Sequence, residues 1–220
     1  ANGDATLEPA TPLFFSGRSV TYKFDATAVC PEWKKFLDSV WPDDLESQGL
    51  LAEWFSYSLT SDTSLQKYLL VIGPPRSGKG TLTRVQTQLL GADNVASPSL
   101  ASFATQFGLW PLLGKSLAVF PDARLSGRSD AVLLTERLMS VIGEDLQDVE
   151  RKHATTLTGV RMPLKFMLMS NEIPTLPDAS RAIVARSLVL QMTQSFVGKE
   201  DHRLQARLLS ELPGILNWAI

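Results

Sequence analysis

Apolar residues in this chain fall into two kinds of run. Four short stretches are apolar almost throughout: 66–72 (QKYLLVI), 116–120 (SLAVF), 164–169 (LKFMLM) and 187–191 (SLVLQ). Each has strand length and no polar face, as strands covered on both sides do. Between them the apolar positions shift to helical spacing. Leu82, Val85 and Leu89 share a face of 81–90, and helices also fit 98–107, 129–142, 178–185 and 200–219. Ahead of the first strand, 31–60 reads as helix in two pieces. Pro31 suits a first turn, and Trp33, Phe36, Leu37 and Val40 share a face. Pro42-Asp43-Asp44 then breaks and recaps the run, which continues from Leu45 to about Leu59. Alternating strand and helix predicts an α/β fold with a mostly parallel sheet flanked by helices. A helical region over 1–60 would precede a domain over 61–220, with Ser61-Asp62-Thr63 as hinge and Ala1 to Pro12 as a frayed start.

The link between the first strand and its helix is Gly73-Pro74-Pro75-Arg76-Ser77-Gly78-Lys79-Gly80-Thr81, which fits G-x-x-x-x-G-K. Such a loop wraps backbone N–H groups around nucleotide phosphates. Glycine lets the backbone approach them, Lys79 adds a point charge, and the positive end of the following helix faces them. Strand, loop and helix is the setting the motif requires, so ATP with Mg2+ is the expected ligand. The residue after the lysine, commonly a Ser or Thr that ligates Mg2+, is Gly80. Thr81, one step later, is expected to bond a phosphate and is the loop's candidate for the metal. The GKGT form also occurs in nucleoside monophosphate kinases.

Candidate chemistry continues at the strand ends. Asp122 follows SLAVF after Pro121. A carboxylate there holds Mg2+ directly or through water, or caps a turn. Asn171 ends LKFMLM in the same way, as an uncharged contact for the attacking water or γ-phosphate, or as an Asx turn before Ile173-Pro174. Arg181 and Arg186 flank AIVA ahead of the last strand; each reads as a solvated helix arginine or as a guanidinium for a neighbour's γ-phosphate. From Ser140 to Thr158 the pattern suggests a hairpin. Its tip region holds Arg151, Lys152 and His153, a cluster that suits single-strand phosphates as well as plain solvent.

Bulk properties narrow the class. With 220 residues and 44% hydrophobic composition, the chain can build a substantial core. Net charge is −2 and the pI is near 5.7, which argues against a broad basic face for duplex DNA. The lone Cys30 cannot pair internally, consistent with a reducing cytoplasm. No apolar run approaches the roughly 18 residues of a membrane span, so no membrane contact is expected.

Taken in order, these blocks resemble the helicase module of phage and plasmid primase–helicases, the satellite-phage type within superfamily 3 of the AAA+ ATPases. The resemblance starts at Ala28-Val-Cys-Pro-Glu-Trp-Lys-Lys-Phe-Leu. It continues through the phosphate loop, Phe120-Pro-Asp122-Ala-Arg124, Glu136-Arg-Leu-Met-Ser, Gly143-Glu-Asp and Arg151-Lys152. It closes with Ser170-Asn171-Glu172-Ile-Pro174, Asp178-Ala-Ser180, Ala185-Arg186 and Glu211-Leu-Pro-Gly-Ile-Leu-Asn-Trp218. By this resemblance the fold is an AAA+ type P-loop NTPase. Lys79 and Asp122 would be its Walker residues, Asn171 its sensor and Arg186 its arginine finger. The segment from Gly143 to Lys152 would send a hairpin into a central pore, with Lys152 the leading DNA contact beside Arg151 and His153. The resemblance implies a homo-oligomeric ring, commonly hexameric, moving 3′ to 5′ on single-stranded DNA in a bacterial cytoplasm and serving a phage, prophage or plasmid.

The chain departs from that pattern in places. The second strand-end carboxylate of many relatives is missing, since Pro121 and Ala123 flank Asp122. The water-activating base is therefore open between Glu172 and Glu136. Arg181 stands where relatives often have glycine and competes with Arg186. Any priming or winged-helix domain would lie outside residues 1–220. Two other readings remain: a nucleoside monophosphate kinase, favoured by GPPRSGKGT, and a non-catalytic ATP-binding loader or clamp, favoured by the lone Asp122.

Overall fold

The computed structural model of the chain describes residues 8–9, 11–12, 17–123, 128–173 and 182–220. Its strands are β1 (Tyr68–Ile72), β2 (Val95–Ala96), β3 (Leu117–Phe120), β4 (Gln147–Arg151), β5 (Ala154–Val160), β6 (Lys165–Ser170) and β7 (Ser187–Gln191). Five of them form one parallel sheet in the order β2-β3-β6-β1-β7, while β4 and β5 make a separate antiparallel hairpin. The helices are α1 (Pro31–Val40), α2 (Leu45–Leu59), α3 (Lys79–Leu90), α4 (Leu100–Ala104), α5 (Arg128–Ile142), α6 (Ala182–Ala185), α7 (Leu204–Ser210) and α8 (Leu212–Ala219).

The unbroken apolar runs are explained by two cores, one on each face of the sheet. Successive side chains of a strand point to opposite faces. Leu69, Val71, Leu117, Val119, Met167 and Met169 join one core, together with buried residues of α1, α2, α3 and α8. Leu70, Ala118, Phe120, Phe166 and Leu168 join the other, with residues of α4 and α5. The N-terminal helices pack into the first core. Trp33 of α1 stacks on Phe55 of α2 with ring centres 5.7 Å apart and meets Trp218 of α8 edge-on at 5.5 Å.

Helix ends follow local chemistry where a local cap exists. Asp44 accepts from Ser47 N at 3.0 Å to start α2, the recapping expected of Pro42-Asp43-Asp44. α1 has Pro31 in its first turn and no cap from Cys30. Glu211 supplies one from the far end of the chain, accepting from Glu32 N at 3.0 Å and Trp33 N at 2.9 Å. That duty, with Pro213 in the next first turn, divides the helix expected over 200–219 into α7 and α8. The helix expected over 98–107 is the single turn α4, capped by Ser99. Gln66 lies at φ 52°, so β1 starts two residues later than the apolar run. β2 is too short to show a pattern. Most of Ala1 to Pro12, and residues 178–181 of the helix expected over 178–185, lie outside the described residues.

Register fixes the working edge. Ile72 pairs with Ser170 and with Gln191, and Phe120 pairs with Leu168. With all strands parallel, Gly73, Asp122 and Asn171 leave the sheet at the same edge.

Candidate functional site

The phosphate loop begins where β1 ends, and Gly73 N donates to Ser170 O at 3.1 Å, which ties it to the end of β6. Arg76 takes a left-handed φ of 59° and Gly78 one of 101°. A side chain at Gly78 would also approach the Phe36 ring to 3.2 Å, so backbone and space both call for glycine. Gly78 offers α3 no side-chain cap. The first-turn N–H groups of this 12-residue helix are thereby left to an anion. Lys79 Nζ donates to Gly73 O at 2.5 Å and Pro74 O at 2.8 Å, and burial lowers its pKa from the ordinary lysine value. From the other side, Ser195 Oγ donates to Pro75 O at 3.0 Å and Phe196 N to Arg76 O at 3.0 Å, which straps the loop to the segment after β7.

The loop floors an open cleft of about 860 Å³. Ser77 to Thr81 and Asn171 line it, so the loop and the strand-end amide meet in one space. Asp122 stands at the same edge, exposed, and Ala123 N donates to Met169 O at 2.8 Å, which fixes its segment against β6. Asp122 itself is not among the cleft-lining residues. The oxygen donors Thr81 and Asp122 suit Mg2+, a hard cation that takes few protein ligands and completes its shell with water and phosphate. Among the described residues no group of three or more His, Cys, Asp or Glu forms a metal cage. Glu172 follows Asn171 and is exposed. Glu136 lies along α5. Arg181 and Arg124 fall outside the described residues.

The opposite wall was not legible in the sequence. Glu32, Lys35 and Phe36 of α1 line the cleft together with Lys199, His202 and Arg207 in and just before α7. Arg207 joins the two elements, with Nε 2.8 Å from Glu32 and Nη2 2.7 Å from Asp201. The Lys35 bond, followed by the Arg207 bond, holds Glu32 below the usual carboxylate range. Arg84 on α3 also reaches the cleft. These residues lie about 170 positions apart, and no local pattern joins them.

Arg186 is at the other edge of the sheet. It precedes β7, its carbonyl accepts from Tyr68 N at 3.0 Å, and its Nη1 donates to Met139 O at 3.0 Å in the last turn of α5. The five-residue length of β7 keeps it about 16 Å from its own phosphate loop. The hairpin starts from this edge as well. Lys152 and His153 form its exposed turn, with His153 at φ 58°. Arg151 instead binds within the hairpin, Nε and Nη2 donating to Thr155 O at 2.9 and 2.6 Å. Val149 is buried in the second core and anchors the base.

A family model described as a family of unknown function, DUF5906, matches residues 71–186. Among solved structures, the chain is similar to the A form apo structure of the NrS-1 C-terminal region, at a TM-score of 0.68 and 19% identity over 90% of this chain and 48% of that one. Another apo structure of that region gives 0.70 at 17% identity over 90% and 49%. The likeness is one of fold. The uncharacterized mitochondrial protein ymf21 of Marchantia polymorpha is 29% identical over 80 residues, 36% of this chain and 44% of its own length. The chain thus spans about half the length of these structures and less than half of the curated relative. Among the described residues no helix is long and apolar enough to cross a membrane.

Proposed function

The chain belongs to DUF5906, a family of unknown function, and we propose that it is the ATP-hydrolysing core of a superfamily 3 type DNA helicase that works as a homo-oligomeric ring on single-stranded DNA. The observation that carries this reading is the division of labour between the two sheet edges. One edge has the phosphate loop, Asp122 and Asn171; the other has Arg186 and the basic hairpin. An arginine that cannot reach its own loop suits a neighbour's γ-phosphate.

In this reading the triphosphate lies on the N–H groups of 77–81, and Lys79 exchanges its two loop carbonyls for phosphate oxygens. The nucleoside extends toward α1 and α7. Asp122 and Thr81 would hold Mg2+, which supplies neutralising charge on the phosphates when bound. Asn171 orients the attacking water, and Glu172, its neighbour at the same edge, is better positioned than Glu136 to take the proton. Arg186 of the adjacent subunit stabilises charge in the transition state. The exposed Lys152 and His153 grip DNA phosphates, with Arg151 holding the turn's shape. A ring of six in a bacterial cytoplasm, serving a phage or plasmid, rests on the motif resemblance alone.

A second reading, a ring that holds ATP without turnover, draws on the single strand-end carboxylate and on the position of Asp122 outside the cleft lining. Phosphate release with and without oligo(dT) separates the two. Hydrolysis stimulated by oligo(dT) and lowered about a hundredfold or more in Lys79→Ala is expected, a loss of the size that follows removal of a transition-state charge contact. Nucleotide-dependent assembly without turnover would select the second reading. Transfer of phosphate to a nucleoside monophosphate would overturn both.

A further inference from the structure

Both legs of the hairpin are tied to the end of α5. β4 is held through Gln147, whose Nε2 donates to Ser140 Oγ at 2.8 Å. β5 is held through Arg161, just past it, whose Nη2 donates to Glu144 Oε1 at 2.7 Å. The same carboxylate oxygen accepts from Thr63 Oγ1 in the segment that joins α2 to β1. The Thr63 hydroxyl, then Arg161, holds the Glu144 carboxyl below the usual range.

Glu144 carries these contacts from an unusual backbone position. It lies at φ 66° just past α5, with its N–H on Val141 O at 3.1 Å. Many helices end on such a left-handed residue, and glycine fills the position without strain. A glutamate there is not required by the helix end, and outliers of this kind gather at working sites. The same turn receives Arg186 on Met139 O. The space for that guanidinium comes from Gly143, where a Cβ would lie 3.0 Å from Arg186 Nη1. α5 begins shortly after Asp122 and is 15 residues long, about 22 Å, so it spans from the nucleotide edge to this joint.

We propose that Glu144 is a positioning residue that couples the hairpin to Arg186, by clamping Arg161 and Thr63 onto the α5 terminus so that hairpin, arginine and joining segment move as one body. The inference rests on the ring reading above. Glu144 touches neither nucleotide nor DNA in that reading, so its loss leaves both binding events intact and removes the link between them.

The test uses Glu144→Gly, which suits the left-handed backbone while removing the carboxylate, and Arg161→Ala, which removes the other half of the clamp. Melting temperature, basal ATPase, oligo(dT) affinity and oligo(dT)-stimulated ATPase are measured for each and for the double variant. Melting temperature, basal rate and affinity should stay near wild type in both single variants. The stimulated rate should fall by about fivefold or more, the scale of typical coupling between sites. The double variant should lose no more than either single one, because both break one joint. Stimulation at the wild-type level in Glu144→Gly would overturn the proposal. So would a loss matched by falls in melting temperature and basal rate, which would mark a structural role only. A wild type that oligo(dT) does not stimulate overturns the ring reading itself, and this proposal with it.

Discussion

Lys79 already has partners, two carbonyls of its own loop, so in the proposed reading nucleotide binding would be an exchange and not a first pairing. It stood out in the sequence because Gly73, Gly78 and Lys79 fall at the fixed spacing of one loop motif. Lys165 was not readable, since it sits inside an apolar run and looks like a strand-end charge. It is 2% exposed at the start of β6. Its Nζ donates to Thr60 O at 2.7 Å and lies 4.5 Å from the centre of the Tyr57 ring. Burial lowers its pKa from 10.5 to about 8. Between those values the unfolded chain binds a proton that the folded chain has released, so stability rises with pH across that window. Below it both states are protonated and the folded state holds a desolvated charge. A gain of about 1–3 kcal/mol between about pH 8 and pH 10 is predicted for wild type relative to Lys165→Met, from urea midpoints. Tyr22 and Tyr57, both pushed up to about 12 by burial, oppose it only above about pH 10. Equal pH profiles for the two proteins would show that the lysine is not desolvated.

Elements were legible where their cause is local. The phosphate loop, the SLVLQ strand and the Asp44 cap each lie within a few residues of the chemistry that makes them. The hairpin was visible as well, because a polar tip between β-branched positions is a local signal. The break at Glu211 was not, because that carboxylate caps a helix at Glu32, 179 residues earlier. At the hairpin, Lys152 is exposed and Arg151 is occupied by Thr155 O. Lys152→Ala should therefore weaken oligo(dT) binding and lower its salt slope by about one ion per subunit engaged. Stability should stay within about 0.5 kcal/mol, as for most exposed positions. Salt titrations of fluorescent oligo(dT) check this, and an unchanged slope would remove the tip from the DNA path.

At the scale of the molecule, alternation of strands and helices predicted the parallel α/β sheet, and the same pattern could not give strand order. The order β2-β3-β6-β1-β7 decides which loops are neighbours along the edge that parallel strands share. It brings Asn171 between the segments of Gly73 and Asp122, while the common strand direction leaves Arg186 at the far edge. The cleft wall from α1 and α7 was hidden for the same reason, since it depends on how distant segments close on one another. The central claim is that an ATP site is completed by two copies of the chain. Mixing Lys79→Ala with Arg186→Ala subunits tests it most directly, because one copy then supplies an intact Arg186 and the other an intact loop. With rising protein concentration and oligo(dT) present, the mixture should hydrolyse ATP well above the sum of the two variants alone. A mixture no more active than that sum, beside an Arg186→Ala protein that keeps the wild-type rate, would contradict the shared site.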